Sequence, residues 1–177
     1  SSIHLCYNGL DTERFRRSSL DLPDVVAPGA IVVGTISVQR PEKSLTTLLD
    51  AFARSAAGSP ALLLLVVGRG PQHAALQRHA ADLGIASRCR FQPAVEDVVP
   101  WLSLMDVFVL PSRSEALSKA LMEAMACECA CVASRVGGNP ELVRHEDTGL
   151  LFQSGSVDDL ARLLGRPGGD AELRRRL

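Results

Sequence analysis

Apolar-rich runs recur along the chain at Ile31–Ile36, 61–67, 88–91, Val107–Leu110, 130–133 and 149–152. They lack the alternation of a half-solvated sheet and read as parallel strands covered on both faces. Between them the apolar positions change to helical spacing. Leu45, Leu48, Leu49 and Phe52 follow i, i+3, i+4, i+7, and the stripe gives out near Gly58. Leu76, Ala80 and Leu83 form a second stripe with Gly84 placed as its stop. Val98, Trp101, Leu102 and Met105 form a third, shorter one. Ser156 with Asp159 is an N-cap signature ahead of Leu160, Leu163 and Leu164. The Gly-Arg-Pro-Gly-Gly run at 165–169 predicts a helix break before a last basic segment, Arg174-Arg175-Arg176. Strands and helices in alternation predict an α/β fold, a doubly wound parallel sheet.

One strand leads into an unusual helix. Val107–Leu110 is closed by Pro111-Ser112, after which Glu115 and Glu123 stand eight positions apart in a run read as helical up to Cys127. In open α/β sheets, ligands bind in the crevice at the strands' carboxyl ends. On a helix such a pair would be separated by ~12 Å and turned by roughly 80°. The two acids cannot then share one metal or one proton, but they can hold two ends of an elongated ligand. Glu123 sits among Leu121, Met122, Ala124, Met125 and Ala126, where a carboxylate needs a donor to offset its desolvation.

Composition narrows the classes. The 177 residues suit one domain; 46% are hydrophobic and only 4% aromatic, so Leu, Val and Ala must build the core. Nineteen Lys and Arg against 20 Asp and Glu give no electrostatic case for nucleic acid or an anionic membrane surface. The longest apolar run is too short to span a bilayer, and the start carries no signal-peptide pattern. Five cysteines, an odd number, point to reduced thiols and a cytoplasmic setting. Cys127, Cys129 and Cys131 lack the second pair that structural zinc uses and read as small buried hydrophobes. Gly68-Arg69-Gly70 has His73 where a dinucleotide fingerprint needs its third glycine, which removes the case for a nicotinamide or flavin. His4, His73, His79 and His145 show no ligand spacing, though His73 lies near that turn. Both ends look cut, with 3–9 reading as a strand and turn without an earlier partner.

Six segments in order resemble the C-terminal, donor-binding domain of glycosyltransferase family 4, whose retaining members have the GT-B fold. They are Asn8-Gly9-Leu10-Asp11 with Phe15; Val33-Gly34-Thr35 through Pro41-Glu42-Lys43; and Val67-Gly68-Arg69-Gly70-Pro71. Asp106 through Ser112 then leads into the Glu115/Glu123 motif, followed by Val136-Gly137-Gly138-Asn139-Pro140-Glu141 and Gly149-Leu150-Leu151. The resemblance implies a Rossmann-like domain over 21–177, an interdomain segment over 1–20, and an acceptor domain missing from this chain. It implies that Glu123 binds the ribose hydroxyls of a nucleoside-diphosphate sugar and that Glu115 contacts the transferred sugar. The amides of Ala116, Leu117 and Ser118, at the helix start, would face the diphosphate. Lys43 would neutralise charge growing on it as the sugar departs. Phe91 and Gln92 would border the nucleobase, although Phe91 reads equally well as core, and Gly34 and Gly68 join the substrate-binding set through their motifs. No cofactor or metal is implied, nor any membrane span; peripheral membrane association of the parent is left open.

Four positions depart from the family pattern. Val38 stands where an arginine is usual, so Arg40, three before Lys43, is assigned to the diphosphate. Ser44 and Glu128 replace glycines, and Ala130 replaces a proline. If the glycine before Cys129 is left-handed, Glu128 costs on the order of 1 kcal/mol. The expected function is donor binding for retaining transfer of a hexosyl group to an acceptor hydroxyl, with the isolated domain inactive in transfer. The alternatives are a non-catalytic nucleotide-binding scaffold or another GT-B enzyme, an epimerase or a phosphorylase.

Overall fold

A computed structural model describes residues 9–19, 25–27, 29–59 and 61–177; most of the strand and turn expected at 3–9 lies outside them. Six strands, β1 (Ile31–Ile36), β2 (Leu62–Val67), β3 (Cys89–Gln92), β4 (Val107–Leu110), β5 (Ala130–Ser134) and β6 (Leu150–Phe152), form one sheet in the order β3-β2-β1-β4-β5-β6. Every pairing is parallel. The helices are α1 (Leu45–Ala56), α2 (His73–Asp82), α3 (Val99–Leu104), α4 (Lys119–Ala126), α5 (Asn139–Leu142), α6 (Val157–Gly169) and α7 (Ala171–Arg176).

Alternate strand residues feed two cores. Val33, Leu64, Val66, Val107, Val109 and Val132 pack with Leu48 and Phe52 of α1, Leu76 of α2 and Leu160 and Leu163 of α6. Val32, Leu65, Val67, Phe108, Leu110 and Cys131 pack on the other face with Leu102 of α3, Leu121 and Ala124 of α4, and Phe15. The crossovers therefore change face between β1 and β4. In open α/β sheets a change of this kind leaves a crevice at the carboxyl ends of the two strands, the topological switch point.

Several sequence signals hold. Gly84 ends α2 at φ 71°, and Ser156 caps α6 by accepting from the Asp159 amide at 3.2 Å. The cysteines at 127, 129 and 131 are buried, with Cys129 Sγ donating to the Leu102 carbonyl.

Two expectations are corrected. The break at 165–169 does not occur: α6 runs to Gly169 with Pro167 inside it. Proline there forfeits a helix hydrogen bond and crowds the preceding turn, a cost of ~3 kcal/mol. Pro167 and Gly168 are both buried, Gly168 close under Leu62, and Arg174 Nη1 takes up the Pro167 carbonyl at 2.5 Å. Packing overrides propensity. The second correction concerns α4, which begins at Lys119 rather than beside Glu115. Ser118 is its N-cap, accepting from the Leu121 amide at 3.3 Å, and the Ala116 carbonyl is taken by the Gly138 amide at 2.7 Å. An oxygen engaged across the site in this way is drawn out of a helical ladder. Glu115 thus stands on the turn before the helix, and the helical separation expected for the two acids does not apply.

Candidate functional site

Two loops meet at the switch point: 37–44 after β1 and 111–118 after β4. Their backbones are joined where the Arg113 amide donates to the Glu42 carbonyl at 2.8 Å. Pro41–Lys43 forms one 3-10 turn that swings Lys43 toward β4, and Ser44 reverses the chain at φ 51° before α1 begins. That left-handed conformation explains why glycine is usual at position 44. Ser44 compensates with its hydroxyl, which contacts Thr47 Oγ1 at 3.0 Å and accepts from Arg113 Nε at 3.3 Å.

This turn brings Lys43 onto Glu115. Nζ donates to Oε1 at 2.6 Å, and Ser112 Oγ donates to the same oxygen at 2.6 Å. The side chains are 24% and 10% exposed, so the pair lies in a crevice mouth rather than on an open surface. A charge-assisted contact so placed is stronger than a solvated pair, and still reachable by a ligand.

A glycine loop supports Glu115 from the β5 side. Gly137 has φ 49°, and a Cβ on it would lie 1.6 Å from the Glu115 carbonyl oxygen. Beneath it Asn139 Nδ2 donates to the Ser134 carbonyl at 2.9 Å, and Ser134 Oγ donates to the Ser112 carbonyl at 2.6 Å. Ser112, Ser134 and Asn139 have no exposed surface.

The loops after β1, β2 and β3 are stitched likewise. The Gln39 amide donates to the Arg69 carbonyl at 3.0 Å, the Gln72 amide to the Gln39 carbonyl at 3.1 Å, and the Gly68 amide to the Gln92 carbonyl at 2.9 Å. A Cβ on Gly68 would meet the Ser37 carbonyl oxygen at 1.9 Å, so glycine there lets two loops touch. Gln39, fully buried, donates from Nε2 to the Gly68 carbonyl at 3.1 Å and holds His73 Nδ1 at 2.8 Å. The His73 ring stands edge-on to Phe91 with centroids 5.9 Å apart.

The expected site residues thus divide. Lys43 and Glu115 touch; Ala116, Leu117 and Ser118 line the turn entering α4; Gly68 and Gln92 lie on the stitched loops. Glu123 is half-buried on the second turn of α4. Burial raises its carboxyl above the ordinary value, with the charges of Lys119 and Arg14 opposing. Phe91 is only partly buried and packs against the core, so it serves the interior while edging the site. Arg40 is exposed at the start of the 3-10 turn, and Val38, 51% exposed, leaves its place in the loop uncharged. Gly34 lies within β1 rather than at its mouth. A Cβ there would fall 2.4 Å from Met105 Sδ, so packing accounts for that glycine.

Sequence reasoning passed over Ser112, Gln39 and Arg113. Ser112 was visible only as the turn residue after Pro111, and the partners of all three lie more than one element away or depend on an unpredicted turn. A hollow of about 610 Å³ lined by Arg17, Asp106, Met125, Glu128, Cys129 and Arg174 lies at the strands' amino ends, opposite the crevice. Glu128 is left-handed there, at φ 59°, as expected of the glycine it replaces.

Residues 27–166 match the profile of the family described as Glycosyl transferases group 1. N-acetyl-alpha-D-glucosaminyl L-malate synthase of Bacillus anthracis is 34% identical over 163 residues, 90% of this chain and 42% of that protein. D-inositol 3-phosphate glycosyltransferase of Saccharomonospora viridis is 33% identical over 176 residues, 89% of this chain and 40% of that protein. The chain therefore spans less than half the length of these curated relatives. Among solved structures, Anabaena Alr3699/HepE in complex with UDP-glucose superposes with a TM-score of 0.87 at 28% identity, covering 96% of this chain and 49% of that one. The C-terminal domain of a Francisella tularensis glycosyl transferase group 1 protein shares the fold, with a TM-score of 0.83 at 22% identity over 95% of this chain and 92% of that one.

Proposed function

The chain belongs to the group 1 glycosyl transferases, and from that premise we propose that it is the donor-binding part of a retaining hexosyltransferase. The observation that carries the reading is the contact of Lys43 with Glu115 at the carboxyl ends of β1 and β4. A cation and an acid in one crevice suit a ligand that is anionic at one point and rich in hydroxyls at the next, as a nucleoside-diphosphate sugar is. HepE, whose structure holds UDP-glucose, supports the same class. The named relatives favour transfer over the scaffold, epimerase and phosphorylase alternatives.

In this reading the diphosphate draws Lys43 from Glu115 and lies against the amides of Ala116, Leu117 and Ser118 on the turn entering α4, where the helix dipole contributes ~0.3–1 kcal/mol. Glu123 accepts from the ribose hydroxyls, each charge-assisted bond being worth ~1.5–3 kcal/mol. Glu115 accepts from the sugar, and Phe91 and Gln92 border the base. Arg40 adds charge beside Lys43. The bond from the anomeric carbon to the phosphate oxygen breaks with its electron pair going to phosphate. The acceptor hydroxyl attacks from the same face and gives its proton to that oxygen. Stabilising charge on the leaving group accelerates the step because that charge is largest in the transition state. No metal or cofactor enters the scheme.

The acceptor, a domain that holds it, and a cytoplasmic setting belong to the same proposal. Among the described residues no helix is long and apolar enough to cross a membrane. Calorimetric titration with UDP and GDP tests the reading: Lys43→Ala and Glu123→Ala each weaken binding by about tenfold. Unchanged affinity in both variants would remove the site.

A further inference from the structure

Among the described residues, Glu115 is held through a single oxygen. Oε1 accepts both from Lys43 Nζ and from Ser112 Oγ, and the two donors differ in their freedom. Lys43 is a partly exposed cation on a loop, and an anion entering the crevice competes with Glu115 for it. Ser112 has no exposed surface, and its carbonyl is fixed by Ser134 Oγ at 2.6 Å and Ser154 Oγ at 3.3 Å. Ser134 is fixed in turn by Asn139, through its own carbonyl. The Ser112 hydroxyl therefore ends a polar chain running from α5 through β5 to the β4 turn, and it cannot follow a ligand outward.

We propose that Ser112 is a positioning residue for recognition of the transferred sugar. It retains Oε1 of Glu115 when the diphosphate draws Lys43 away, and so leaves Oε2 aimed at a sugar hydroxyl. This rests on the donor-site reading above and adds to it the group that keeps the acid in place. A carboxylate's terminal torsion is broad and roughly two-fold, so packing alone does not orient its oxygens. A cation shared between the acid and the phosphates holds the acid less firmly than one committed to it alone. With the serine hydroxyl deleted, Glu115 follows Lys43 or turns, and only contacts beyond the diphosphate suffer.

The test compares UDP with UDP-glucose, and GDP with GDP-mannose, by calorimetry on the 177-residue chain. The quantity read is the affinity gained from the sugar, in whichever pair shows the larger gain. Ser112→Ala should cut that gain by about tenfold while leaving the plain nucleotide within about twofold. In a Glu115→Gln background the same change should have little further effect, since both act through one contact. Ser112→Thr, which keeps the hydroxyl, should retain most of the gain. Ser112→Cys, similar in size with a weak donor, should fall between and serves in place of alanine if that variant does not fold. Equal losses for nucleotide and sugar nucleotide, or full additivity with Glu115→Gln, overturn the positioning role. A chain that binds UDP or GDP but gains nothing from either sugar overturns it alone. A chain that binds neither nucleotide overturns the donor-site reading as well.

Discussion

Replacing Gly137 with alanine isolates how much the crevice depends on one missing side chain. The residue sits at φ 49°, and an added Cβ would lie 1.6 Å from the carbonyl oxygen of Glu115 and 2.7 Å from its carbonyl carbon. Real contacts of this kind stay beyond about 3 Å, so loop and acid must separate by more than an ångström. Left-handed strain contributes ~1 kcal/mol and forced overpacking ~1–3 kcal/mol, a destabilisation of about 2–4 kcal/mol. At roughly 2–4 °C per kcal/mol for a chain of this size, the Tm should fall by about 4–16 °C. The displaced atoms belong to Glu115, so nucleotide-sugar affinity should fall with it, by about tenfold or more. Gly155→Ala is the matched control: φ is 78° and nothing lies within 4 Å of the added atom, leaving only the strain and intact binding. Differential scanning fluorimetry and UDP-glucose titration of both variants read the two quantities. If Gly137→Ala melts and binds like Gly155→Ala, the loop yields without moving Glu115, and the close-approach account is wrong.

Three further outcomes follow from the same geometry. Glu128→Gly relieves a non-glycine residue at φ 59° and should stabilise the chain by about 1 kcal/mol in urea titration, whereas Glu128→Ala, which keeps the strain, should not. Burial holds the Glu123 carboxyl above its ordinary 4.5, so the folded chain keeps that proton better than the unfolded one, and stability falls as pH rises from 4.5 through the raised value. Glu123→Gln should remove that fall, gaining stability above the window and nothing below it, as pH-dependent melts will report. Burial pushes the thiols of Cys89 and Cys127 up to about 11 and that of Cys129 to about 12, with Cys131 well above the usual range. At pH 8 all four should resist iodoacetamide until denaturant is added; prompt labelling of any of them in the folded chain, read by peptide mass spectrometry, would contradict their burial.

The strands were legible because parallel strands buried on both faces leave uninterrupted apolar runs, and all six fall within one residue of their observed limits. Their order in the sheet is a matter of non-local pairing, which no run of residues encodes. The break placed at 165–169 shows the opposite failure. Gly, Pro and Gly-Gly carry strong local signals, yet the burial of Pro167, and of Gly168 against Leu62 of β2, outweighed them. At the site, Lys43 and Glu115 could be picked out by motif, but their contact depends on a 3-10 turn and a left-handed Ser44, neither of which a serine announces. The turn at 115–118 was read as helix because the Gly138 amide that captures the Ala116 carbonyl lies 22 positions downstream. Ser112 was hidden for the same reason: its orienting partners come from β5 and the loop beyond β6.

The backbone bonds from Gln39 to Arg69, Arg113 to Glu42 and Gly138 to Ala116 lace four loops, those after β2, β1, β4 and β5, into one row along the crevice. Loops tied to their neighbours in this manner are less free to fold singly over a bound molecule. On the donor-site reading, drying of the diphosphate, on which strong charge stabilisation depends, would then ask for a covering surface other than these loops.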